Sequence, residues 1–213
     1  MKWASVFLAF AAGIALAEPI PKAPNSGAIE PDPSQVWIDG VTYGGSGCPQ
    51  GSASVSLAPD RKSFTVILDQ YIVNIGPGVS ITNARKNCQL NVQLHYPGGF
   101  QYSVYSSDYR GYVQLEKGVT GTQKANYYFA GNTAQSSAEF KVTGPISQDY
   151  LAHDEIPFTS TVWSPCGEFV ALNINSQIRV DNTANTKGNG LMTTDSIDGK
   201  VTFQVGVQWK ECK

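Results

Sequence analysis

The residues able to do chemistry are few and unevenly placed. The chain carries two histidines, His95 and His153. His153 opens the run His153-Asp154-Glu155, in the stretch 150–155 that reads as a loop. A histidine beside two carboxylates suits proton transfer, so His153, Asp154 and Glu155 are candidate catalytic residues of a hydrolase or lyase. Either histidine could also join a remote serine and aspartate in a triad. The G-x-S-x-G nucleophile elbow is absent. With Asp149, the same run offers oxygen ligands of the kind calcium takes. A solvated acidic loop is the plainer account, and no metal or cofactor is expected. Paired carboxylates of a glycosidase would have to come from Glu116, Glu139, Glu155 and Glu168. No spacing in the sequence shows that any two of them face one cleft. Asp181, Asp195 and Asp198 read first as turn formers.

The strongest local bias is aromatic and lies between Tyr96 and Phe129. Exposed rings on a sheet stack on sugar faces, and Asn and Gln can bond the hydroxyls. Tyr105, Tyr109 and Tyr112 fall nearest to expected turns and are the candidate binding rings. The competing account is ordinary core, because tyrosine favours strands.

The elements that must position these residues are strands. Cys88, Leu90, Val92, Leu94 and Tyr96 alternate with Gln89, Asn91, Gln93 and His95, a period of two. The same pattern runs through Val170–Val180 and Val201–Trp209. Further strands fit 52–57, 63–74, 100–106, 112–116, 126–130, 138–142 and 159–163. Turn residues separate them, among them Gly76-Pro77-Gly78, Pro97-Gly98-Gly99, Gly144-Pro145 and Asp198-Gly199. Residues 196–200 read as the approach to a hairpin. The fold class is all-β: an antiparallel sandwich of about ten strands, with a closed barrel as the alternative.

Residues 1–17 read as a signal peptide: Lys2, an apolar run from Trp3 to Leu16, and cleavage after Ala15-Leu16-Ala17. The run is shorter than the roughly 20 residues of a spanning helix. The expected location is secreted and extracellular, with no membrane segment in the mature form. Residues 18–35 hold five prolines and read as an extended leader. Residues 36–213 read as one β domain. An even count of cysteines in a secreted chain means disulfides. The favoured pairs are Cys48–Cys88 and Cys166–Cys212, each stapling one half of the chain. Cys88 and Cys166 share the parity of their strands' apolar faces. Charged residues make up 15% and the net charge is −2, a poor match to nucleic acid, which needs clustered Lys and Arg.

The motifs Gly45-Ser46-Gly47-Cys48-Pro49, Arg85-Lys86-Asn87-Cys88, Tyr109-Arg110-Gly111-Tyr112 and Trp163-Ser164-Pro165-Cys166-Gly167 occur in that order. Together they resemble a mainly fungal family of small secreted proteins known as a domain of unknown function. The resemblance implies a secreted, cysteine-bridged domain from about Val36 to Cys212, and brings no catalytic residues with it. The resulting expectation is a secreted non-catalytic protein, associated with a cell wall or host surface and binding polysaccharide. An extracellular hydrolase or lyase acting on polysaccharide is one alternative. An effector-type module reading a host or cell-wall protein is the other.

Overall fold

The computed structural model describes residues 30–156, 161–167, 169–194 and 203–213. Among them the chain forms twelve strands: β1 (Trp37–Gly44), β2 (Ala53–Leu57), β3 (Ser63–Leu68), β4 (Ile72–Ile75), β5 (Arg85–His95), β6 (Phe100–Leu115), β7 (Thr120–Phe129), β8 (Ser136–Thr143), β9 (Ile146–Glu155), β10 (Leu172–Asp181), β11 (Gly190–Thr193) and β12 (Phe203–Glu211). They make two antiparallel sheets. One has five strands in the order β1-β5-β10-β7-β8. The other has seven, β2-β3-β12-β6-β11-β4, with β9 also paired to β6. Neither closes on itself, so the molecule is a sandwich and not a barrel.

Alternation builds the core. In β5, Cys88, Leu90, Val92 and Leu94 are buried while Gln89, Asn91 and Gln93 face out. Tyr102 meets Phe129 edge-on across the sandwich at 5.1 Å, and Tyr96 meets Trp209 at 5.8 Å. Truncating a buried ring such as Phe129 to alanine costs about 3–5 kcal/mol. A polar chain also crosses the interior. The Tyr71 hydroxyl and the Gln123 amide both donate to Ser176 Oγ at 3.0 Å, and Thr194 donates to Gln123 Oε1 at 3.1 Å. Each member has a partner, which is what makes buried polar groups tolerable.

β6 departs from the sequence reading. Instead of two short strands it is one strand of 16 residues. Ser106 lies opposite Gly206 and Val104 opposite Val207, so Tyr105 has no opposite residue. This is a β-bulge, and it inverts the alternation. Tyr102 and Val104 point inward before it; Tyr109, Gly111, Val113 and Leu115 point inward after it. The expected strand over 63–74 is broken by Asp69–Tyr71 into β3 and β4. Residues 161–163 are not strand, and 150–155, expected as a loop, belong to β9. Cys166 sits in a turn rather than on a strand face. The hairpin expected at 196–200 lies outside the described residues.

Both disulfides form, Cys48–Cys88 and Cys166–Cys212. The four motifs turn out to be packing devices. Ser46 and Asn87 bond side chain to side chain at 3.0 Å, and Gly47 N–H donates to the Asn87 carbonyl, which docks the first motif onto the second. Gly111 abuts the Thr193 carbonyl and the Tyr150 ring, where a Cβ would collide with both. Ser164 Oγ accepts from Tyr102 N–H at 3.0 Å and from the Tyr96 hydroxyl at 3.1 Å. The end of the expected leader is also docked. Glu30 pairs with Lys62 at 2.9 Å, and Arg61 donates to the Pro33 carbonyl.

Candidate functional site

Strand alternation on β9 sends His153 and Glu155 to the outer face and Asp154 inward. Register with β6 places His153 opposite Asp108 and Glu155 opposite Ser106. His153 Nδ1 lies 2.5 Å from Asp108 Oδ1, and its Nε2 lies 3.6 Å from Glu155 Oε1. The hydrogen bond and charge of Asp108 hold the imidazole above its ordinary titration range. Together with Asp60, Lys62 and Tyr105 these side chains line an open groove of about 400 Å³.

Tyr105 follows inward Val104 and so faces outward, 42% exposed, and the bulge after it keeps Asp108 on the same face. It lies beside Gly206, where a Cβ would come within 2.8 Å of the ring. Glycine at 206 therefore makes the seat for the tyrosine. Glu30 occupies Lys62 and holds it above the usual ammonium range. The groove thus joins an exposed ring, carboxylates that accept and cations that donate.

The other sequence candidates do not reach it. Tyr109, expected to be exposed, is 1% exposed. The bulge reverses its parity, and its hydroxyl pairs with that of Tyr127 inside the sandwich. Tyr112 is half-buried and its hydroxyl bonds Ser147 at 2.9 Å. Asp154 points away from His153, and its Oδ2 is buried without a hydrogen bond. Burial raises its carboxyl above the ordinary range. The idea of one ligand set from His153, Asp154, Glu155 and Asp149 fails for the same reason: on a strand, neighbours face opposite ways. Among the described residues no three His, Cys, Asp or Glu side chains are arranged to hold a metal ion.

The acids considered for a glycosidase are scattered. Glu116 accepts from Asn189 N–H at 2.9 Å, and that bond lowers its carboxyl. Glu139 pairs with Lys124 on the other sheet at 3.7 Å. Glu168 lies outside the described residues, as do Asp195 and Asp198. Asp181 behaves as a turn former, accepting from Thr183 N–H and Oγ1 at 3.0 and 2.6 Å. Beside the groove, exposed Arg110 stands opposite exposed Leu151, a single apolar side chain among charged ones.

A second feature was not singled out from the sequence. His95, on the polar face of β5, stacks on Trp37 at 3.7 Å. Phe169 approaches the same imidazole at 5.5 Å. Trp37 and Phe169 are 42% and 55% exposed. The polar positions of β5 and β10 face out beside them. The alternation Gln89-x-Asn91-x-Gln93 and Asn173-x-Asn175-x-Gln177 was the available signal.

Comparisons with known proteins agree with the resemblance in the motifs. A family model described as a domain of unknown function, DUF4360, matches residues 34–212. An uncharacterized secreted protein of Arthroderma benhamiae is 55% identical over 188 residues, covering 88% of this chain and 76% of that protein. Among solved structures, TmCBM61 in complex with β-1,4-galactotriose aligns over 82% of this chain and 90% of its own, at 13% identity and a TM-score of 0.28. The CBM22-1–GH10 modules of Clostridium thermocellum xylanase 10B, complexed with xylohexaose, align over 76% of this chain and 28% of their own, also at 13% identity and a TM-score of 0.28. The protein is secreted, and the chain belongs to the DUF4360 family.

Proposed function

We propose that the protein is a non-catalytic glycan-binding domain, exported by the signal peptide of residues 1–17 and working at a cell wall or host surface. The observation that carries this is the exposed Tyr105 ring, set at a bulge and seated beside Gly206 in a polar groove. A pyranose presents C–H groups on its faces and hydroxyls around its rim. The Tyr105 ring suits the first. Asp60, Asp108 and Glu155 accept from hydroxyls, and His153 and Lys62 donate to them.

The test is retention of the folded, secreted chain on insoluble chitin, glucan and cellulose. Retention on at least one is expected. Soluble fragments of that polysaccharide should then shift the His153 ring resonances, and Tyr105→Ala should abolish the shift. Retention on none of the three would overturn the proposal.

One observation favours a second reading, an extracellular hydrolase. Asp108 and His153 form a carboxylate–imidazole pair in a groove, as a general base requires. This reading predicts release of new reducing ends that His153→Ala abolishes. The binding reading predicts none from the unaltered protein.

A further inference from the structure

We propose that the outer face of the five-stranded sheet is a second site, built for an extended, uncharged polysaccharide lying along β5 and β10. The inference takes its class of ligand from the glycan-binding reading, but it uses none of the groove residues.

Pairing register decides which outward side chains share a row. One row runs Thr42, Asn91, Asn173 and Tyr128 across β1, β5, β10 and β7. The next runs Gly44, Gln89, Asn175, Asn126 and Ser137 across all five strands. No residue in these two rows is charged. Charge begins one row further, with Lys124 and Glu139, and dominates the row after that, with Arg85, Arg179 and Lys141. At the opposite end stands the aromatic row, Trp37 against His95 and His95 against Phe169. The face is therefore graded along the strands: a ring row whose Trp37 indole donates to exposed Asp39 at 3.2 Å, then neutral amides, then the basic and acidic rows.

This gradient suits one kind of ligand. Amides donate and accept at once, as sugar hydroxyls do. They are also held in place: Asn173 Oδ1 accepts from Gln89 at 3.3 Å and from Asn91 at 3.1 Å. Two exposed rings at one end offer apolar area to a pyranose face. From the ring row to the second amide row is six residues of β5, about 20 Å at ~3.3 Å per residue. That is room for a run of several sugars. A uronic or sulfated chain would meet no counter-charge in the amide rows.

The experiment titrates cellohexaose and laminarihexaose into the isotopically labelled, full mature chain and follows side-chain amide resonances. Shifts at Gln89, Asn91, Asn173 and Asn175 are expected with at least one hexaose. Trp37→Ala and Asn175→Arg should each weaken that binding at least tenfold, and Tyr105→Ala should change it less than twofold. Asn175→Arg alters an outward position and leaves the core intact, so it decides the matter if Trp37→Ala disturbs the fold. Shifts confined to β6 and β9 would overturn the second site while leaving the groove in place. No shifts with either hexaose, or equal binding of a uronic-acid hexamer, would also overturn it.

Discussion

The two outer faces come from the same alternation of strands, yet they offer a ligand different things. On the five-stranded sheet, pairing across β5, β10 and β7 runs without a slip. Outward side chains therefore fall into straight rows, and the surface is broad and neutral at its centre. On the seven-stranded sheet one extra residue in β6 puts Asp108 on the same face as Tyr105, and β9 brings His153 and Glu155 beside it. That surface is concave and charged. Regular register builds an extended face, while one irregular residue re-aims a side chain into a groove.

The comparison can be broken hardest at its supports. Cys48–Cys88 closes a loop with a sequence separation of 40 and anchors β5, the spine of the flat face. Replacing both cysteines by serine should cost about 4 kcal/mol, read by urea denaturation. A loss below about 1 kcal/mol would show that the bridge does little for this sheet.

Gly206→Val acts on the irregular side alone. Its side chain would collide with Ser106 and the Tyr105 ring. A loss of about 2 kcal/mol is expected, with groove binding abolished and hexaose binding on the flat face kept. Equal stability and intact groove binding would mean that the ring does not need its glycine seat.

Asp154→Asn should move stability the other way. Burial raises the Asp154 carboxyl, so its ionised form weakens the fold. The folded state holds the proton more tightly than the unfolded chain does. Its contribution is therefore full below the ordinary carboxylate range and lost as pH rises through the raised value. The variant should gain about 1 kcal/mol at neutral pH, because it removes a partly desolvated charge, and nothing at low pH. Thermal melts at both pH values check this.

The smallest effects separate the faces by charge. Asp108→Asn should return the His153 titration toward the ordinary imidazole value, as read by NMR. The raised value means that the Asp108–His153 contact supports the fold below the ordinary imidazole range. That support fades as pH rises through the raised value. Added salt should screen the exposed Asp108–His153 pair and bring the His153 titration partway toward the ordinary imidazole value, while hexaose binding on the flat face, which involves no charge, stays unaffected.

Much of the architecture was legible in advance. β5, β10 and β12 announce themselves by apolar residues at every second position. The disulfide pairs were legible too, since each joins one half of the chain. β9 was not: only Tyr150 and Ala152 among its inward positions are apolar and buried, and the acidic run at its end looks like a loop. Tyr109 was misplaced because a bulge adds one residue without changing composition. The tyrosines drew attention as a binding cluster, yet only Tyr105 among them lines the groove.

The sequence by itself determined the strand period, the low charge and the even cysteine count, since these are properties of single residues and near neighbours. Tertiary structure alone decided which of them meet. Asp108 and His153 stand 45 residues apart and touch because β6 and β9 pair in one particular register. Trp37 reaches His95 through the pairing of β1 with β5. A period of two tells which face a side chain takes but not which strand lies beside it, because register is set by the packing of both sheets on one core.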